Sequence, residues 1–407
     1  MLAVLLTLTA GYAILTWRNL HTGLLLLVAV LPSYLLRTGV FGIPTTLLEL
    51  LVVTFLIVWL IKRRPKLGDF TSNPQSLPPV LLLLLAATIS VFVAPNLIDA
   101  LGVWKAYFLE PILLFFVVRY EFNQADLNPE NLFKALGITA IILSVVGIAQ
   151  WLTGAGLPIP WDIERRVTSV FDYPNALGLY LGPILIIACL YCFKNKRPFS
   201  PFWLLVIVLS SIAIALAQSE AAIVSVVATL LLAGLLHKKT RILSLGLVPL
   251  SILATLLFPP LLQKITLQDY SGGVRLSQWS ETVDILQTHW LLGTGLSGYP
   301  TALEPYHQAT HLEIFQYPHN IILNIWVELG LLGLITFLFL AWTVLQRVAT
   351  TYNQQPTIMA PFLALLQMSI HGMVDVPYFK NDLAIMTWIL IAFILAYARP
   401  ATSKKES

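Results

Sequence analysis

Apolar runs about 17 to 25 residues long, enough to cross a hydrocarbon core of ~30 Å, recur almost from one end of this chain to the other. They fall near Leu2 to Thr16, Leu20 to Leu36, Ile43 to Ile61, Pro78 to Ala94, Leu101 to Val118, Leu132 to Leu152, Pro174 to Phe193, Pro201 to Ala217, Ala221 to Leu236, Ile242 to Phe258, Ile321 to Leu345, Ile358 to Val374 and Leu383 to Ala398. Lipid offers no partner to a free backbone N–H or C=O, so each run must be a helix that satisfies its own hydrogen bonds. The expected fold is all-α, a polytopic transmembrane helical bundle of 12 or 13 spans forming one integral membrane domain over residues 1–407.

Composition agrees. Apolar residues make up 57% of the chain and charged residues 11%, against roughly 25% charged in a soluble domain; the mean hydropathy is +0.81. The first run has neither a basic leader nor a small-residue cleavage site, so it reads as part of the fold rather than as a signal sequence. Basic residues set the orientation. If the runs alternate, Lys62 to Arg64, Lys66, Lys194, Lys196, Arg197, Lys238, Lys239, Arg241, Lys404 and Lys405 all fall on one side, which is then cytoplasmic and holds the C-terminus. Only Arg37, Arg165, Arg166, Lys264, Arg275 and Lys380 are left on the outer side.

Two outer segments interrupt the pattern, residues 153–173 and 259–318. The second is too long to be a structureless connection. Within it Leu276, Trp279, Val283, Leu286 and Trp290 recur at helical spacing, so Ser277 to His289 reads as an amphipathic helix lying on the membrane surface. Gly293, Gly295 and Gly298 follow, which suits a tight turn or a close backbone approach. Lys264 and Arg275 are outnumbered there by Asp269, Glu281, Asp284, Glu304 and Glu313, which excludes a diffuse basic surface for nucleic acid. An anion bound here has to be gripped by a few placed cations.

His319 lies at the end of this segment, in Tyr317-Pro318-His319-Asn320, just before the helix over residues 320–345. An imidazole at that boundary stays wet while meeting a substrate held in the lipid, and it titrates where a general base is useful. The bland alternative is an interfacial capping group beside Asn320. His307, His311 and His319 with Glu304 and Glu313 suggest a metal site only weakly, because Pro305 and Pro318 argue for loop and no HExxH spacing occurs; no metal or cofactor is expected. Cys189 and Cys192 read as small packing residues of an apolar helix. His371 and Asp375, four apart on one expected span, are placed to hydrogen-bond each other. Lys105 and Glu110, five apart, are not placed to pair across a helix.

The run Arg166-Val-Thr-Ser-Val-Phe171-Asp-Tyr-Pro174-Asn175, the pair Arg275 and Trp279 leading into Gly293-Thr-Gly295, and His319-Asn320 with Glu328-Leu-Gly330-Leu-Leu-Gly333 resemble the O-antigen ligase and polymerase superfamily. The resemblance implies an enzyme of the bacterial cytoplasmic membrane whose active site faces outward. Such an enzyme moves glycan from an undecaprenyl diphosphate carrier to an acceptor hydroxyl, on lipid A core for a ligase or on another carrier-linked unit for a polymerase. It also implies metal-independent chemistry with a loop histidine and outward arginines. His319 is then the expected catalytic base, and Arg166, Arg275, Glu220 and Asn320 the expected substrate contacts. Arginine suits a diphosphate leaving group, since its charge is permanent and its planar fork matches phosphate oxygens. Ligases of this family carry Ser or Thr followed by Arg at the outer start of the span after the first motif, where this chain has Gln218-Ser219-Glu220. Glu220 is expected either to complement its helix dipole or to bind sugar hydroxyls and orient His319 or Arg275. The competing functional class is a transporter or flippase of lipid-linked oligosaccharide, which predicts internal repeats and broken helices near the bilayer midplane; no similarity between halves is seen.

Overall fold

A computed structural model describes residues 2–40, 43–70, 77–124, 127–192, 200–307 and 314–396. The sequence-predicted runs form helices. The first third contains α1 (Leu2–Arg18), α2 (Leu20–Ala29), a hairpin of β1 (Arg37–Val40) and β2 (Ile43–Thr46), α3 (Leu47–Arg63), α4 (Leu67–Phe70), α5 (Leu77–Val93), α6 (Leu97–Trp104) and α7 (Glu110–Asn123). The middle contains α8 (Pro129–Thr153), α9 (Pro174–Cys192), α10 (Pro201–Ala217), α11 (Glu220–Leu236) and α12 (Arg241–Leu257). Then follow α13 (Pro259–Ile265), α14 (Tyr270–His289), α15 (Tyr299–Leu303), α16 (Ile321–Thr351), α17 (Met359–His371) and α18 (Asn381–Ala396). Lys194, Lys196, Arg197, His311, Glu313, Lys404 and Lys405 lie outside the described residues.

Burial separates the helices by role. All but a few side chains of α9 and α18 are buried, whereas α1 and α12 expose leucine and isoleucine over most of their surface. A helix apolar on every side is either core or lipid-facing, and both kinds are present. The center is built by α18 against α7 and by α9 against α10, α11 and α17. Among the described residues Leu97–Asn123, Pro129–Thr153, Pro174–Cys192 and Ile321–Thr351 qualify as membrane spans by length and hydropathy, and seven shorter apolar helices of 10–17 residues accompany them.

The differences from expectation are local. The run Leu20 to Leu36 is not one helix: α2 has 10 residues, Pro32 sits in a following 3-10 turn, and the hairpin register pairs Arg37 with Thr46. Proline lacks the N–H that a continuing helix needs. As their spacing indicated, Lys105 and Glu110 do not pair; Lys105, in a single π turn over Lys105–Leu109 that joins α6 to α7, pairs instead with Glu49 of α3. The described part of the segment over residues 259–318 is mostly helical, with α14 starting earlier than Ser277 and capped by Asp269, whose carboxylate accepts from the Gly272 amide at 3.1 Å. Its buried face carries Gln278, Glu281, Thr282 and Ile285, while Leu276, Val283 and Trp290 are exposed. The stripe is therefore divided: Leu276, Val283 and Trp290 point away from the protein, whereas Leu286 packs inward beside Ile285 and Trp279 is half-buried.

A break inside α16 was not legible beforehand. Gly330 has φ 69° and ψ −170°, a conformation reserved for glycine. The segment after α14 fills the break: Leu331 N–H donates to Leu291 O at 3.0 Å, Thr294 N–H to Val327 O at 2.6 Å, and Ser90 Oγ to Glu328 O at 2.7 Å. Gly295 makes the close approach that its spacing suggested, since a Cβ there would lie 2.3 Å from Ala94 Cα. A small apolar cluster of Ile285, Leu286, Tyr299, Leu303 and Val327 then fixes α14 and α15 on α16.

Candidate active site

The motif around Arg166 is held from within the bundle by Gln150 near the end of α8. Its amide nitrogen donates to Gly156 O at 2.9 Å and Ser169 O at 2.8 Å, and its oxygen accepts from the amides of Thr168 at 3.2 Å and Ser169 at 2.7 Å. Ser169 is left-handed, φ 57°, and its hydroxyl donates to Leu143 O. A loop pinned this way presents Arg166 in one place. The guanidinium donates to Ala217 O at 3.2 Å and Gln218 O at 3.3 Å, satisfying the end of α10, and lies 5.0 Å from the center of the Trp161 ring. Burial lowers its pKa, with Glu164 and Glu220 acting the other way; an arginine remains a cation under such shifts.

Arg275 on α14 reaches a different part of the chain. Its Nε donates to Val374 O at 2.9 Å, in the connection between α17 and α18. Both arginines, with Glu220, line one cavity of about 880 Å³, whose wall also includes Asn175, Lys264 and Tyr173. That volume lies in the upper part of the range of roughly 300–1,000 Å³ typical of ligand pockets. Glu220 touches neither Arg275 nor His319. It is the first residue of α11 and pairs with Lys264 of α13, both side chains being about half exposed. Lys264 thus brings a cation beside the position where the family pattern places arginine.

His319 has φ 47°, an uncommon conformation for a residue with a Cβ. Its neighbors impose it. Trp279 Nε1 donates to Pro318 O at 2.9 Å, Asn320 Nδ2 donates to Met373 O at 3.1 Å, and Ile321 N–H donates to Gly372 O at 2.7 Å. Asn320 Oδ1 meanwhile caps α16, accepting from the amides of Ile322 and Leu323. Both ends of the Asn320 amide are therefore engaged by backbone. The imidazole is packed edge-on against Phe315 and Tyr317, with centroids 5.1 and 4.9 Å away.

His319 Nδ1 meets Asp375 Oδ1 at 3.3 Å, and Nε2 has no partner among the described residues. This corrects the pairing expected between His371 and Asp375. Helix α17 stops at His371, so the two are not one turn apart; both ring nitrogens of His371 lack a hydrogen bond among the described residues, and Asp375 accepts from Val376 N–H at 2.8 Å. Burial alone would push the Asp375 carboxyl up. The hydrogen bond and charge of His319, with His371 and the Val376 amide, outweigh it and hold the group at about 2. An ionised carboxylate on Nδ1 fixes the tautomer that leaves Nε2 free to accept a proton.

The parts are linked through consecutive residues, Val374 tying down Arg275 and Asp375 tying down His319, although His319 and Asn320 are not among the residues that line the cavity of the two arginines. Beyond Tyr173 lies a second cavity, of about 270 Å³, lined among others by Arg37, Tyr317, Glu328 and Lys380. Tyr173 borders both cavities, and its hydroxyl is 3.5 Å from that of Tyr317. Five of the six cations that the charge distribution set apart line these two cavities, Arg165 being the exception. Asp375 and Lys264 were missed as site residues because the pairings that bring them there are long-range. His307, by contrast, pairs with Glu281 of α14 at 3.3 Å and lines neither cavity.

Residues 205–338 match the family model described as O-antigen ligase. The match covers α11 to α15, most of α10 and the first half of α16, and so includes Glu220, Arg275, His319 and Asn320; Arg166 and Asp375 lie outside it. No curated protein matches the chain. The match supports the O-antigen ligase and polymerase superfamily, and with it glycan transfer by a membrane protein of several spans.

Proposed function

We propose, for a chain with an O-antigen ligase match over residues 205–338, that it transfers glycan from an undecaprenyl diphosphate carrier to an acceptor hydroxyl at the outer face of the cytoplasmic membrane, with its C-terminus in the cytoplasm. His319 Nε2 takes the proton of the acceptor hydroxyl as its oxygen attacks the anomeric carbon. The bond from that carbon to the diphosphate oxygen breaks, and the diphosphate leaves with the electron pair. The imidazolium is held by Asp375 and then returns its proton to water. Arg166, Arg275 and Lys264 grip the diphosphate, supplying on protein groups the charge that a metal would otherwise bring. Glu220 positions Lys264, and Asn320 positions His319 through the cap and the Met373 carbonyl.

One observation carries this reading. Arg166 and Arg275, more than a hundred residues apart, line a single cavity, and the residue after the Val374 tether of Arg275 is the carboxylate on His319. The transporter alternative draws on broken helices lining a path, yet the freed carbonyls at the Gly330 break are capped by Thr294 and Ser90. The test is to supply the purified protein with carrier-linked saccharide repeat units, with and without a separate lipid A core acceptor, in buffer containing a chelator. Chain lengthening by itself identifies a polymerase and single transfer to the added acceptor identifies a ligase. Absence of any product from intact protein, with or without chelator, removes the enzyme reading, and activity lost only with the chelator removes its metal independence.

A further inference from the structure

The smaller cavity is built differently from the one that holds Arg166 and Arg275. Two cations face it, Arg37 from the hairpin and Lys380 from the connection before α18, and neither has an ion-pair partner among the described residues. The Lys380 ammonium instead lies over aromatic faces, 4.6 Å from the center of Tyr173 and 5.4 Å from that of Phe171. Arg37 is similarly placed 5.8 Å from the Tyr34 ring. Burial pushes Lys380 below the usual lysine range, while Asp382, Asp375 and Asp172, the last of which also lines this cavity, pull the other way without forming an ion pair among the described residues. A partly buried ammonium that has ring faces but no carboxylate within ion-pair distance is placed to receive an anion.

Glu328 also lines this cavity. Glu328 is 4% exposed, and its Oε2 has no hydrogen-bond partner among the described residues. A buried carboxylate oxygen left without a donor is costly unless a ligand supplies one. The same cavity therefore asks for hydroxyl donors near Glu328, an anionic group near Arg37 and Lys380, and a flat apolar face against the tyrosines. A saccharide carrying a carboxylate or phosphate meets all three demands.

We infer that the cavity between Arg37, Lys380 and Glu328 binds an acidic sugar of the acceptor, so that acceptor and carrier diphosphate occupy neighboring cavities separated by Tyr173. This rests on the proposed glycan transfer, and it adds to it a class of acceptor and the residues that select it. The tyrosine wall accounts for the geometry. His319 is packed against Tyr317, whose hydroxyl meets that of Tyr173, so the base sits beside the place where the two ligands would approach each other.

Binding to the full chain in detergent tests the inference without turnover. Three probes serve: a glucuronate-containing disaccharide, the same disaccharide with its carboxyl reduced to an alcohol, and inorganic phosphate. The acidic disaccharide should bind at least about tenfold more tightly than its neutral form, equivalent to ~1.4 kcal/mol. Arg37→Gln and Lys380→Met should each erase that preference, Lys380→Arg should retain most of it, and Glu328→Gln should weaken both disaccharides alike. Thermal unfolding of each variant separates a lost site from a lost fold, and the Lys380→Arg result remains decisive if Lys380→Met does not fold. No preference for the acidic probe, competition by phosphate as strong as by the acidic disaccharide, or a preference lost in Arg275→Gln but kept in Arg37→Gln would each overturn the inference. Failure of glycan transfer with the acidic preference intact would count against the proposed reaction and leave the binding site standing.

Discussion

Asp375→Asn isolates the chemistry from the architecture. The substitution keeps the shape of the side chain and an oxygen able to accept from Val376 N–H, currently at 2.8 Å, so the connection after α17 has no reason to refold. What it removes is a negative charge 3.3 Å from His319 Nδ1. Two unit charges at that distance interact by about 5 kcal/mol at an effective dielectric near 20. That interaction exists in full only once the imidazole has taken the acceptor's proton. Asparagine retains a neutral hydrogen bond and proton transfer is incomplete in the transition state, so about 3 to 4 kcal/mol is the expected loss, or 10²- to 10³-fold in kcat at 1.36 kcal/mol per factor of ten. KM should change little, because Asp375 is 1% exposed and lines neither cavity. The assay is transfer from carrier-linked repeat units by purified protein, with product followed by mass spectrometry and folding checked by thermal unfolding. A fall in kcat of less than about tenfold in a folded variant, or a change confined to KM, would refute Asp375 as the partner of a catalytic base.

Three further outcomes follow from named contacts. Glu220→Gln should leave thermal stability within about 1 kcal/mol, since the Glu220 and Lys264 side chains are about half exposed, yet raise KM for the carrier-linked donor by releasing Lys264; unchanged transfer kinetics would remove Glu220 and Lys264 from the site. Gly330→Ala should destabilise by roughly 3 kcal/mol or more, because its Cβ would lie 2.3 Å from Leu291 O at a φ of 69°, and unfolding at the wild-type temperature would contradict the break in α16. Asp375 has a depressed pKa in the folded protein, so its contribution to stability is present above the unfolded value near 4 and is lost as pH falls toward about 2. The gap in stability between wild type and Asp375→Asn, on the order of 2 kcal/mol, should therefore close between pH 4 and 2 in thermal unfolding; a gap that persists at pH 2 would show that charge is not its cause.

The sequence by itself determined the class of fold and the identity of most of the cations that matter. Lipid tolerates only self-satisfied backbone, so long apolar runs could be nothing but helices, and Pro129–Thr153, Pro174–Cys192 and Pro201–Ala217 fall within a few residues of where hydrophobicity placed them. Charge is costly in that setting, so Arg37, Arg166, Lys264, Arg275 and Lys380 stood out before their surroundings were known. Tertiary structure alone decided their company. Helical spacing suggested that Asp375 would meet His371, but α17 ends too soon, and the carboxylate turns to a histidine 56 residues away. Glu220 finds Lys264 rather than Arg275, and the break at Gly330 exists because a distant backbone segment, Leu291 to Thr294, supplies its hydrogen bonds. Periodicity reports which face of an element is apolar. Which two polar groups share a cavity depends on how the helices pack, and that is a property of the whole bundle.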